Sequence, residues 1–474
     1  MTIAPVVHEL RPVPRVDGAL RACVDLPGVI LFDSARHDSR LGRYSFLSGD
    51  PVEMFSLQEA TVSRDPFAEL RGLMASRVEA TLPGLPPFQG GAAGVLSYEL
   101  GHAWEKLPRT DIDEFQFPAF TIGLYDWVLA WDHLDDRCWI VARNRPNLSA
   151  QSRIDDLIER LQDNSGPPSA IDPVSAATSS DIVRPIQRDI TALATRSFRA
   201  NGPAELQSNF SQKSYVETVA RVVDYIRAGD IFQANLSQRL MFPARESALE
   251  TYLRLREVNP APFGGFMAHD DWAVLSASPE RFLQLEGNIV ETRPIKGTRQ
   301  RIRSSVVDLF TRDALRESTK DASENVMIVD LLRNDLSRVC RPGSISVPKL
   351  CELESYETVH HLVSEVRGEL RAGLTFWEVL AATFPGGSIT GAPKVRAMEI
   401  ITELEQVSRG PYCGSLFYLG YDGRADSNIL IRTFSRRQGW LQCSVGGGII
   451  AQSDPESEYA ETLHKAAGMI RALK

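Results

Sequence analysis

The stretch Asn288-Ile289-Val290-Glu291-Thr292-Arg293-Pro294-Ile295-Lys296-Gly297-Thr298 lies just past the midpoint of the chain. Its first half reads as a strand, Asn288–Thr292, the third of a run after Trp272–Ser276 and Arg281–Leu285. Short β-rich segments in immediate succession, each closed by turn residues, point to a partly antiparallel sheet. The second half places a lysine between Ile295 and Gly297, beside the rigid Pro294. On residue chemistry Lys296 is either a surface lysine in a turn or a group held at a strand end for reaction.

Working outward, Glu280 lies 16 residues before Lys296. An acid and a lysine at adjoining strand ends form either a salt bridge or a general acid with a nucleophile. Downstream, a helical region spans roughly 306–335. There Glu324 starts the stripe continued by Ile328 and Leu331, so it faces inward and needs a cationic partner, a metal ion or a buried ion pair. A strand near 440–445 is followed by Gly446-Gly447-Gly448, whose backbone can approach a carboxylate. The last helix starts at Pro455, capped by Asp454, and carries Glu458 and Glu461 on one face. These acids either complement the helix N-terminus or supply hard oxygen ligands of the kind magnesium takes.

Gly386-Gly387-Ser388-Ile389-Thr390-Gly391-Ala392-Pro393-Lys394 opens another helix, a position suited to anions, with Thr390 and Lys394 as its polar side chains. It departs from the phosphate-binding loop pattern, because Ala-Pro-Lys follows Gly391. Tyr412 and Arg432 add a phenol and a charged fork, and His361 is either a proton-transfer group or a core histidine.

Toward the N-terminus, strands are expected at Gly28–Phe32, Arg43–Leu47, Phe120–Trp131 and Cys138–Arg143. A helix is expected at Ile154–Gln162. A Ser/Pro/Ala/Gly-rich segment then interrupts every periodicity, so the chain divides into 1–162, a linker at 163–209 and 210–474. In the last part, helices are expected at Ser214–Ala228, stopped by Gly229, and at Ala248–Val258. Between them lies a strand, Ile231–Phe242, and later strands fall near 414–421 and 427–433.

At 474 residues the chain exceeds the roughly 250–300 at which single cores stop growing. A formal charge of −9 excludes a broad basic face for nucleic acid or anionic membrane. Six scattered cysteines without a CxxC pair suit a reducing compartment, and neither a signal peptide nor a membrane-spanning run is visible, which reads as cytoplasmic. Residue chemistry thus leads to an acidic small molecule, a divalent cation and a lysine of nucleophilic potential.

Four segments resemble one family, the chorismate-utilising enzymes: Gly229–Arg239, Met327–Leu336, Phe384–Lys394 and the terminal Gly-rich run with Glu458-Tyr459-Ala460-Glu461-Thr462. The resemblance is strong over 210–470 and weaker before it. It implies an α/β (α+β) fold like that of anthranilate synthase component I, with large, mostly antiparallel sheets packed as a sandwich and flanked by helices. It implies Mg²⁺ held by Glu324 and Glu461, with Glu458 in support. Gly297, Thr298, Tyr412, Arg432, Thr390, Lys394 and Gly446 to Gly448 would hold chorismate. Pro-Ile-Lys-Gly-Thr is similar to the aminodeoxychorismate synthase branch, whereas anthranilate synthases carry Pro-Ile-Ala-Gly-Thr.

On that branch, Lys296 would attack C2 of chorismate while Glu280 protonates the departing C4 hydroxyl and His361 orients it. Ammonia would then add at C4, giving a precursor of 4-aminobenzoate and folate. With no fused glutaminase in view, a separate glutamine amidotransferase would supply the ammonia. Ser34, Arg43, Tyr44, Pro262 and Phe263 fall where relatives bind tryptophan. The remaining readings are an anthranilate synthase large subunit and a catalytically silent, tryptophan-binding regulatory subunit.

Overall fold

The strand expected at 288–292 forms as Ile289–Thr292 and pairs antiparallel with Arg281–Glu286 on one side and Val359–Glu369 on the other. This computed structural model describes residues 4–36, 41–77, 79–110, 112–163, 197–200, 202, 205–301, 305–356 and 359–474. Among them the strands form two sheets, of 13 and 10 strands. The first runs Val6–Glu9, Arg137–Ala142, Trp127–Asp132, Tyr44–Ser48, Ile30–Asp33, Gly264–His269, Trp272–Ser276, Thr433–Arg437, Trp440–Ile449, Gln233–Pro243, Gln207–Ser208, Phe198–Arg199, with Gly391–Ala392 also pairing with Gln233–Pro243 as the thirteenth. The second runs Ile295–Gln300, Val359–Glu369, Ile289–Thr292, Arg281–Glu286, Ala425–Asn428, Ser415–Gly420, Gly91–Leu96, Phe120–Tyr125, Glu53–Leu57, with Ser346–Ser355 also pairing with Val359–Glu369 as the tenth. Neighbours in both are antiparallel.

The sheets face each other across a core of Ile30, Phe46, Met267 and Val274 from the first and Val95, Leu416 and Tyr418 from the second. The outer face of the first sheet is covered by helices that bury Leu20, Ile154, Leu255 and Met469. The second is covered by Thr319–Ser337 and Phe376–Thr383, burying Ile328, Leu332, Trp377 and Leu380. Each fully buried side chain of this size contributes about 1.5–3 kcal/mol. The result is the expected sandwich of antiparallel sheets between helical layers.

Both sheets draw strands from either side of the expected linker. Ile30–Asp33 pairs with Gly264–His269, and Gly91–Leu96 with Ser415–Gly420. Residues 1–162 and 210–474 therefore share their sheets and the core between them. Of the linker at 163–209, residues 164–196 lie outside the described residues, while Phe198–Arg199 and Gln207–Ser208 are short strands. Hydrophobic periodicity marks each element but carries no information on which distant strand it will join.

Four local expectations change. The helical region of 306–335 is two helices, Ser305–Arg316 and Thr319–Ser337, because Ser318 caps the second by accepting from the Asp321 N–H. The strand expected through Phe120–Trp131 breaks at Asp126 into two strands that belong to different sheets. The strand expected at 427–433 is interrupted, with Arg432 at φ 51°. Gly446 to Gly448 lie inside the strand Trp440–Ile449, opposite Ser237, Leu236 and Asn235. Pairing on the other edge ends at Gln442, so the glycines are sheet-bonded on one side only.

Candidate active site

Lys296 occupies the edge strand Ile295–Gln300, where Gly297 at φ 71° is the extra residue of a β-bulge. Lys296 lies opposite Leu362 and Thr298 opposite His361, so the bulge re-aims successive side chains. A Cβ at Gly297 would come within 3.0 Å of Asp321, which restricts the position further to glycine. The lysine is largely buried. Its Nζ donates to Glu324 Oε1 at 2.7 Å and to the Ser388 carbonyl at 3.3 Å.

Ser388 also joins the lysine to the acid. Its Oγ donates to Glu280 Oε1 at 3.0 Å while its carbonyl receives Lys296. Glu280 ends the turn after Ser278, whose hydroxyl bonds the Ile429 carbonyl, and the Ile429 N–H returns to the Glu280 carbonyl. The side chain is buried at 6% exposure. Burial pushes its carboxyl up to about 7, against the pull of Lys296, Ser388, the Ile295 N–H and Arg432. A carboxylic acid that titrates near neutrality suits general acid catalysis.

Arg432 faces Glu280 from the interrupted strand. Desolvation draws its guanidinium below the ordinary value although the side chain keeps solvent contact, and the Glu280 charge offsets this in part. Among the described residues it has no side-chain hydrogen-bond or ion-pair partner. A cation left unpaired in this setting is a receptor for an anion. His361 is held by Thr298 Oγ1 at 2.9 Å from Nδ1 and lies edge-on to Tyr356. Burial, then Arg432 and Arg36, lower its imidazole to about 4, so the ring is neutral at pH 7.

The three acids read as metal ligands gather along the glycine strand. A Cβ at Gly448 would come within 2.7 Å of Glu324 Oε1 and 2.1 Å of Gln233 Nε2. One at Gly447 would lie 3.4 Å from Glu458 Oε2, 3.6 Å from Glu461 Oε1 and 3.5 Å from Lys465 Nζ. Each acid is matched with a lysine: Glu324 with Lys296 at 2.7 Å, Glu458 with Lys320 at 3.8 Å, Glu461 with Lys465 at 2.7 Å. Burial, then repulsion from Glu461, raises the Glu458 carboxyl, against Ser453 and the lysines. For Glu461 burial also acts upward, but Lys465, Lys320 and Lys296 outweigh it and the carboxyl is lowered. Among the described residues no three His, Cys, Asp or Glu side chains converge on one point as a finished ligand set. The donors suit a hard divalent ion nonetheless: Glu324 sits where only a glycine at 448 leaves room, Glu458 and Glu461 lie in ordinary contact range of Gly447, and beside them Gln233 Oε1 is buried without a partner.

Other expected residues are committed elsewhere. Thr390 donates its hydroxyl to the Gly386 carbonyl at 3.0 Å and so braces its own loop. Lys394 is spent on Asp335 at 2.6 Å and the Thr383 carbonyl at 2.8 Å, tying its helix to Thr319–Ser337. Tyr412 is buried, its phenol pushed well up by desolvation, with Arg409 over its ring at 5.6 Å. In the N-terminal region, Ser34 Oγ contacts the Tyr44 carbonyl at 2.7 Å and the Pro262 carbonyl at 3.1 Å. Arg43 is taken by Asp132 and Asp135, and Arg281 lies over the Phe263 ring. Sequence reading assigned no role to Ser388, Lys320, Lys465 and Arg409. Glu458, Glu461 and Lys465 at i, i+3 and i+7 on one helix face were the available signal for Lys465.

A family model described as chorismate binding enzyme matches residues 28–471. Over 466 residues the chain is 38% identical to aminodeoxychorismate synthase component 1 of Salmonella typhimurium, covering 95% of this chain and 94% of that protein. Over 467 residues it is 39% identical to anthranilate synthase component 1 of Thermus thermophilus, covering 97% and 95%. The crystal structure of anthranilate synthase component I from Streptococcus pneumoniae matches the fold with a TM-score of 0.73 at 28% identity, covering 92% and 93%.

Proposed function

The chain belongs to the chorismate-binding enzymes, and from that premise we propose that it aminates chorismate at C4 to 4-amino-4-deoxychorismate through a covalent bond to Lys296. The observation that carries this reading is the bridge at Ser388, which bonds a buried lysine and a near-neutral acid to one residue. Lys296, unprotonated, adds at C2. The C1–C2 π electrons shift to C1–C6, those of C5–C6 to C4–C5, and the C4 hydroxyl leaves as water with the proton of Glu280. Neutral His361, fixed by Thr298, orients that hydroxyl. Ammonia then adds at C4, the double bonds return, and Lys296 leaves from C2 with ammonia's surplus proton restored to the site. Arg432 supplies its unpaired charge to a substrate carboxylate. Glu324 and Glu461, with Glu458 in support, would hold a magnesium ion, which when bound neutralises the ring carboxylate.

The ammonia would come from a separate glutaminase, in line with relatives named as a component 1. Tryptophan would sit between Ser34, Tyr44 and the Pro262–Phe263 wall.

A second reading, anthranilate formation, is favoured by the similar identity to the Thermus thermophilus protein. Lys296 separates the two, because amination at C2 leaves no role for a nucleophile already bonded there. The purified chain with magnesium, chorismate and ammonium is expected to yield 4-amino-4-deoxychorismate by mass spectrometry. Anthranilate as the product would overturn the assignment.

A further inference from the structure

Each carboxylate read as a metal ligand is matched with one lysine, and the three lysines come from three different elements. Lys296 is on the edge strand, Lys320 in the first turn of Thr319–Ser337 and Lys465 on the last helix. A cation at the start of a helix opposes the helix dipole, so Lys320 is misplaced for its own helix and is compensated by Glu458. Lys465 reaches the Gly446 carbonyl at 2.9 Å as well as Glu461, which places its ammonium beside the glycine strand. Glu458 and Glu461 would repel each other without compensation. Lys320 and Lys465 cancel that charge residue for residue.

We propose that Lys320 and Lys465 are placeholder cations: they hold Glu458 and Glu461 while the site lacks a divalent ion and yield them when one binds, and so set its affinity. The proposal rests on the magnesium reading above. Lys296 takes part in the same pairing through Glu324 but is reserved for the reaction. Lys320 and Lys465 are about half exposed, so both can swing into water once their carboxylates are claimed, at little cost. The device keeps the acid cluster folded without metal and weakens metal binding in exchange, which suits an ion taken up together with an anionic substrate.

The test is calorimetric titration of magnesium chloride into the full chain without substrate, for the wild type, Lys320→Ala, Lys465→Ala and Glu324→Gln, with the thermal midpoint of each metal-free protein. Removing one unit charge about 4 Å from a divalent ion in a solvent-open site is expected to tighten magnesium binding about tenfold to thirtyfold in each lysine variant. The metal-free midpoint should fall in the same variants, and magnesium should restore it. Unchanged or weaker magnesium binding in both lysine variants, with binding in the wild type lost in Glu324→Gln, overturns the placeholder role alone. Equal absence of binding in the wild type and Glu324→Gln overturns the magnesium reading beneath it.

Discussion

The surroundings of Lys296 and of Ser34 are both rich in polar side chains, but they use them differently. At Ser34 the hydrogen-bonding capacity is spent on the protein itself: the hydroxyl contacts two backbone carbonyls, and Arg43 is taken by two aspartates. At Lys296 capacity is left over. Arg432 has no protein partner among the described residues, Gln233 Oε1 is buried and unpaired, and Glu280 is desolvated until it titrates near 7. A folded chain keeps costly groups such as the buried Gln233 Oε1 and Glu280 where a ligand will complete them, and the exposed Arg432 stands open beside them. The polar groups named in the first region already have protein partners, while Arg432 and Gln233 Oε1 of the second are left open.

The largest expected effect breaks the open region at its centre. Lys296→Ala should abolish C4 amination, measured as 4-amino-4-deoxychorismate formed from chorismate and ammonium. A variant that still makes it at the parent rate would remove covalent catalysis. Glu280→Gln should cost about 10²–10⁴-fold in turnover, the usual contribution of a positioned acid. The acid is needed protonated and its carboxyl titrates near 7, so the acid form is present below that pH and lost above it. In the wild type, kcat/KM should therefore fall as pH rises through about 7, and that limb should vanish in Glu280→Gln.

Ser388→Ala acts more gently. The Ser388 hydroxyl stabilises the ionised form of Glu280, so its removal should move the same limb to higher pH with a modest loss of rate. A merely structural serine would lower activity without moving the limb. Smallest of all, Ser34→Ala should leave turnover unchanged and lower stability by about 1 kcal/mol in denaturant titration, through loss of the one hydrogen bond its hydroxyl donates to the Tyr44 or Pro262 carbonyl. Should calorimetry show tryptophan bound to the wild type and lost from Ser34→Ala, the Ser34 region would also be open to a ligand and the contrast would narrow.

Much of the site was legible because its residues sit in long motifs with local signals. Lys296 beside a glycine, Glu324 at the head of an apolar stripe, and Glu458 with Glu461 three apart all show in the sequence. The structure adds to them what locality cannot reveal. Ser388 looks like one more small residue in a glycine-rich loop until the fold brings that loop against strands more than 90 residues away. Thr390 and Lys394 belong to the same loop, yet the hydroxyl and the ammonium turn to the Gly386 carbonyl and to Asp335. The glycine run looks like a strand exit, whereas pairing with Gln233–Pro243 extends the strand through it.

By itself the sequence determined many of the elements, the motif set that places the chain among the chorismate-binding enzymes, and the lysine on which the proposed choice of C4 over C2 amination rests. Those depend on residue type and short spacing, which local sterics and periodicity encode directly. Only the tertiary structure decided that residues before and after 163–209 share both sheets. It alone joined Ser388 to Glu280 and Lys296, and matched each carboxylate with a lysine. Such contacts depend on the register between strands and helices far apart in the chain, and register is set by packing of the whole core, which no local pattern contains.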